Sequence, residues 1–243
     1  MFTIEIAGIP IAVDNHFSFV ERQCEAFSSD KPALFAISAL REKMPAESTP
    51  PSAYAESQSI YRQIAYAMNE YDGFLLHAAV ISVDGRGVAF TSRSGTGKTT
   101  RVRMWKKAMG SRIRIVNGDK PILRFVDGTL FAFGTPWMGK ENMGENTCVP
   151  LEYVCFLERG EEAALYKLQT KEVLRRLSGQ ILFPEVEENM SHFMDLLEKF
   201  VDQTKFFLLI CNMDKEDPEQ IWEALNTASA ALRPGVQLLS QLT

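Results

Sequence analysis

Apolar positions along this chain follow two rhythms, one of every second residue and one of every third or fourth. The switches between them mark its elements. Residues 3–13 read as two short strands about the turn Gly8-Ile9-Pro10. Residues 17–27 suit a short helix or a strand, and the apolar run 33–40 has strand length. Pro45, Pro50 and Pro51, with serine and threonine between them, then mark a surface loop or boundary. Beyond it, Ile60, Ile64, Ala67 and Met68 share one face of a helix over residues 56–71. This pattern predicts a small β-rich subdomain at 1–55 and a larger domain at 56–243.

In the larger part, residues 73–91 read as a hairpin whose turn is Asp84-Gly85-Arg86-Gly87, with His77 on its first strand. Its second strand feeds Thr91-Ser92-Arg93-Ser94-Gly95-Thr96-Gly97-Lys98-Thr99-Thr100. The helix that follows buries Val102, Trp105 and Met109 and stops at Gly110. Its opposite face, Arg101, Arg103, Lys106 and Lys107, is expected in water. A strand at 113–116 delivers Asn117-Gly118-Asp119-Lys120-Pro121, and a second hairpin turns at Asp127-Gly128. The loop 134–140, with two glycines and a proline around Trp137, suits either a mobile lid or a turn plugged by its aromatic. Residues 151–157 and 163–168 are expected to pair about Arg159-Gly160. Helices at 170–180 and 187–203, a core strand at 206–211 and a helix capped by Asp217 complete the chain.

Composition narrows the function classes. The chain has 243 residues, 46% hydrophobic and 23% charged, as an ordinary globular protein does. A net charge of −5 argues against general nucleic-acid binding. No apolar run has the length of a membrane span, and the first residues lack the basic start and apolar core of a secretory signal. Cys24, Cys148, Cys155 and Cys211 stand apart with no metal-like spacing, which suits free thiols in a reducing cytoplasm.

The chemistry gathers at the glycine-rich stretch. Strand, glycine-rich turn and helix form a cradle in which backbone N–H groups turn toward phosphate oxygens, with the positive end of the helix behind them. Residues 94–100, Ser94-Gly95-Thr96-Gly97-Lys98-Thr99-Thr100, are the nucleotide-binding candidates. Lys98 would reach the β- and γ-phosphates, and the Thr99 hydroxyl would hold Mg²⁺. Ser92 stands where the general pattern has its first glycine. Asp119, at a strand end facing the loop, is a candidate base or metal ligand; the alternative is a turn aspartate that caps its own backbone. Lys120 lies either beside the phosphates or in solvent. Arg93, Arg175 and Arg176 could steady transferring charge, though the latter two suit a solvated surface equally.

Hairpins on both sides of the loop imply a mixed, largely antiparallel sheet rather than an all-parallel one. With Ser94-Gly95-Thr96-Gly97-Lys98-Thr99-Thr100 and an Asn-Gly-Asp about twenty residues on, residues 74–140 resemble the nucleotide domain shared by HPr kinase/phosphorylase and ATP-dependent phosphoenolpyruvate carboxykinase. The resemblance implies an α/β P-loop fold of that type, ATP and Mg²⁺ as cofactors, and phosphoryl transfer to a hydroxyl. It also implies Lys98, Asp119 and His77 as catalytic residues, and Thr99 and Asp119 as metal ligands; from the residues alone, His77 between Leu76 and Ala78 equally suits a hydrogen-bonded core histidine. The family's paired aspartates are here Gly118-Asp119-Lys120, so one acid of the pair is absent. The carboxykinase's substrate-binding arginine and lysine set has no clear match. Short bacterial relatives include kinases of ribosomally made peptides, which this chain resembles in size. The expected acceptor is therefore serine or threonine of a peptide or small protein, with a sugar or alcohol, or a sensor without turnover, as alternatives. HPr kinases assemble, so the resemblance extends to a homo-oligomer.

Overall fold

The structure is a computed structural model and describes residues 1–39, 52–93, 95–185, 189–212 and 216–230. The proline-rich stretch 45–51 and Ser94 lie outside the described residues.

Strand β1 (Phe2–Ile6) pairs antiparallel with β2 (Ile9–Asp14), and β3 (Phe35–Ser38) adds to β2 in parallel. The first turn is made by Ala7 and Gly8, both at positive φ, one step before the expected position; Pro10 lies within β2 opposite Glu5. Helix α1 (Ser18–Cys24) and α2 (Ala53–Ala67) cover this small sheet. The Ser52 hydroxyl caps α2 by accepting from Ala55 N–H at 3.2 Å. Ile60, Ile64 and Met68 then meet Ile4, Ile11 and Val20 in one core cluster.

The larger sheet comprises β4 (Gly73–Leu75), β5 (Ala78–Val83), β6 (Arg86–Thr91), β7 (Ile113–Asn117), β8 (Ile122–Val126), β9 (Thr129–Phe133), β10 (Cys148–Arg159), β11 (Ala164–Lys167) and β12 (Lys205–Cys211). Its strand order is β4-β8-β9-β10-β6-β5-β7, with β12 also pairing with β10 and β11 with β12. Strands β6 and β12 run parallel to β10, and the other pairs are antiparallel, so the sheet is mixed as expected. The long strand β10 joins β9 at its start and β6 and β12 further along, with a register shift between Leu151 and Tyr153 that lets it serve both.

Helix α3 (Lys98–Met109) and α6 (Pro218–Ala230) pack on one face of the sheet, and α4 (Thr170–Leu177) and α5 (Met190–Gln203) on the other. Successive strand residues alternate between these cores. Ala89, Val154 and Phe156 face α4 and α5, whereas Phe90, Tyr153 and Cys155 face α3 and α6. Central strands buried on both faces must be apolar throughout, which is why β5, β6 and β12 show little alternation.

Three expectations need correction. The run 74–83 is not one strand: β4 pairs with β8 while β5 pairs with β6 and β7, and the chain changes neighbours at Leu76-His77. His77 therefore sits in the break, not on a strand. Strands β10 and β11 do not pair with each other, because β12 lies between them. Arg101 does not face water. It is buried in an ion pair with Glu216, whose oxygens lie 2.5 and 2.6 Å from Nη2.

Candidate functional site

The glycine-rich loop lies where its sequence put it, between the end of β6 and the first turn of α3. Gly95 and Gly97 have φ of 82° and 103°, the left-handed region in which glycine alone is unstrained. Among the described residues no side chain caps α3, and its first-turn N–H groups open toward the loop. An anion at that point would supply the missing cap and meet the positive end of the helix dipole. Lys98 is 8% exposed, and its Nζ donates to Ser92 O at 3.1 Å. Burial pushes its ammonium below the usual lysine range, partly countered by the Asp119 charge. A buried cation held by one carbonyl has donors left for phosphate oxygens. Thr96 Oγ1 donates to Arg93 O at 2.9 Å, and Arg159 donates to Gly95 O at 3.0 Å.

His77, Gly95, Gly97, Lys98, Thr99, Thr100, Asp119 and Lys120 all line one cleft of about 760 Å³. Its remaining walls come from α1 and α2 and from residues 136–142. His77 reaches it because its backbone is clamped in the break between β4 and β5. Its N–H donates to Gln180 O at 2.7 Å, and its carbonyl accepts from Thr91 Oγ1 at 2.9 Å. Ala78 N–H bonds Asp119 O at 3.1 Å, so the histidine and the acid hang on one backbone link.

Asp119 does not cap its own turn. Asn117 does so, its Oδ1 accepting from Asp119 N–H at 2.9 Å and Lys120 N–H at 2.7 Å. The Asp119 carboxylate is thereby free to point into the cleft, where Oδ1 lies 3.1 Å from His77 Nε2 and Oδ2 accepts from Lys120 Nζ at 2.7 Å. Burial alone would raise the Asp119 carboxyl, but the hydrogen bonds and charges of His77 and Lys120 outweigh it and hold it at about 2. The acid is ionised throughout the physiological range. Lys120 is thus beside the acid rather than in solvent.

No group of three or more His, Cys, Asp or Glu among the described residues could cage a metal. Mg²⁺ keeps waters and takes one or two protein oxygens plus phosphate, so it would not require such a cage. Thr99 and Asp119 supply such oxygens in the same cleft.

The other basic candidates lie elsewhere. Arg93, Arg159, Arg175 and Arg176 line a second cleft of about 600 Å³ on the other flank of the loop. Arg175 and Arg176 both bond Glu172, and Arg176 also bonds Glu158 at 2.6 Å. Trp137 is 6% exposed, with Nε1 donating to Ser57 Oγ at 2.9 Å. Lys140 and Glu141 line the first cleft, Glu141 pairing with Arg103, while Glu145 bonds Arg114 at 2.7 Å.

Sequence reasoning passed over Asn117, Thr135 and Gln180. Of these only Asn117 carried a signal, since Asn before Gly at a strand end is an Asx-turn pattern. Among the described residues, no helix is long and apolar enough to cross a membrane. All four cysteines are free thiols, with Cys24, Cys155 and Cys211 buried.

No family model matches the chain, and no curated protein matches it. Among solved structures, an HPr(Ser) kinase/phosphatase from Coxiella burnetii is similar at 12% identity, with a TM-score of 0.39 over 64% of this chain and 90% of that one.

Proposed function

We propose that this protein is an ATP- and Mg²⁺-dependent kinase that transfers the γ-phosphoryl group to a hydroxyl, serine or threonine of a peptide or small protein. The observation that carries this is the ionised Asp119, braced by His77 and Lys120, in one cleft with Lys98 and the uncapped start of α3. Phosphoryl transfer asks for charge neutralisation, an in-line acceptor and a place for the acceptor's proton. Lys98 and the helix start serve the first need, and Thr99 with Asp119 would hold Mg²⁺, whose charge screens the phosphates when bound. A carboxyl held at about 2 is a weak base, so Asp119 serves better as metal ligand and as acceptor of a hydrogen bond from the incoming hydroxyl. The hydroxyl oxygen would attack the γ-phosphorus as the bond to the ADP oxygen breaks, and the hydroxyl proton, made acidic by the forming P–O bond, would pass late to the Asp119 carboxylate, which His77 steadies by donating from Nε2.

Residues 1–55 would then form an accessory unit beside the nucleotide-binding unit 56–243, with a homo-oligomer as the assembled form. A reading without turnover, a nucleotide-gated sensor, is favoured by Lys120, whose ammonium already satisfies the carboxylate at 2.7 Å. A sugar or alcohol acceptor differs only in what the cleft admits. Labelling candidate peptides with γ-labelled ATP separates these readings. In a kinase, Lys98→Ala loses labelling, while Asp119→Asn keeps nucleotide binding and loses transfer. Labelling that survives Lys98→Ala would sink the assignment.

A further inference from the structure

We propose that Asn117 is the positioning residue of this site, setting the direction of the Asp119 carboxylate through a buried ring of hydrogen bonds. This rests on Asp119 being the acid of phosphoryl transfer. Asn117 is completely buried at the end of β7, and its side chain makes four bonds. Oδ1 accepts from Asp119 and Lys120 N–H, and Nδ2 donates to Thr135 O and Thr135 Oγ1, both at 3.1 Å. Two N–H partners on one side and two oxygens on the other fix the amide orientation without ambiguity. Thr135, 2% exposed, closes the ring, its Oγ1 donating to Lys120 O at 2.7 Å.

The turn is therefore held at both ends of Lys120 and at the N–H of Asp119. Gly118 lets it pack: a Cβ there would stand 2.7 Å from Met138 O and 2.9 Å from Met143 O. Without Asn117, two backbone N–H groups lose their acceptor, and the carboxylate loses its fixed bearing on His77 and the loop. No other residue type replaces it. An aspartate keeps the acceptors but opposes the Thr135 carbonyl with an oxygen, and a serine is too short to reach both sides. The role concerns orientation, not nucleotide contact, because Asn117 does not line the cleft.

The test compares wild type, Asn117→Ala, Asn117→Asp and Thr135→Val in three measurements. These are the Kd for Mg·ATP, the single-turnover transfer rate, and amide exchange at Asp119 and Lys120. Asn117→Ala is expected to leave the Kd within about threefold, slow transfer at least about tenfold and speed exchange of both amides. Asn117→Asp should keep the amides protected and still slow transfer, and Thr135→Val should do likewise, non-additively with Asn117→Asp. Should Asn117→Ala fail to fold, Asn117→Asp decides by the same rate criterion. Unchanged transfer in a folded variant overturns the inference, as does a loss of nucleotide binding equal to the loss of rate. Wild type that never transfers phosphate sinks the kinase assignment, and this inference with it; wild type that transfers while the variants match it sinks the inference alone.

Discussion

Replacing Arg101 by alanine should cost this fold far more than a helix-surface arginine would. Arg101 and Glu216 have side chains 3% and 0% exposed, and both Glu216 oxygens meet Nη2. Nη1 donates to Cys211 Sγ at 2.8 Å, and the guanidinium lies 5.9 Å from the centre of the Phe90 ring. Only Nε lacks a partner among the described residues. Removing the cation strands a carboxylate in the core between α3 and the start of α6. Breaking such a pair from one side costs about 3–5 kcal/mol, against under about 1 kcal/mol for an exposed pair. For a chain of this size that lowers Tm by roughly 6–20 °C. Urea or thermal unfolding followed by circular dichroism measures it. The double variant Arg101→Met/Glu216→Leu removes both charges and should recover most of the loss, because well-packed apolar replacements of buried pairs are near neutral. A loss below about 1 kcal/mol for Arg101→Ala, or strict additivity in the double variant, would refute the account.

Four further outcomes are expected. Lys98→Ala should weaken Mg·ATP binding about 10- to 100-fold by calorimetry, the worth of one charge-assisted bond to phosphate. Because burial depresses the Lys98 ammonium, wild-type affinity should fall with rising pH before an ordinary lysine would titrate, and this early loss should vanish in Lys98→Ala. Gly118→Ala should slow transfer, since its methyl collides with two carbonyls that cannot yield without moving residues 138–143; unchanged activity would show the turn to be slack. The Asp119 carboxyl, held at about 2 against an ordinary 3.8, contributes about 2 kcal/mol that is present above the ordinary value and lost as pH falls from about 4 to about 2. Acid unfolding of Asp119→Asn should lack that increment.

How much could be read without the structure follows from which signals are local. The loop, the helix after it and the turns at Asp84-Gly85 and Asp127-Gly128 depend on neighbours in sequence, and positive φ at those four residues is what their types predict. The run 74–83 misled because a strand that changes partners midway stays apolar throughout. Strand β12 inserting between β10 and β11 is a long-range event that leaves no trace in residues 151–168. Arg101 looked solvated because its partner lies far along the chain, and charge alone does not reveal burial. In the candidate site, Lys98 and Asp119 were singled out by type and spacing, and the fold brings both to one cleft. The hold on the Asp119 turn was not legible, since Asn117 is itself anchored by Thr135, which follows a different strand.

Strand β6, which carries the loop, has a local hairpin partner in β5, but its other edge waits for β10, where Val88 meets Tyr153, and β10 in turn waits for β12, where Tyr153 meets Lys205. During synthesis the ribosome must therefore release most of the chain before the cradle has its final floor, and nascent chains halted early would show an unsheltered strand flank to their neighbours. Parallel pairing between such distant segments is slow to find, so production of this protein should be sensitive to chaperone supply even where the finished fold is robust.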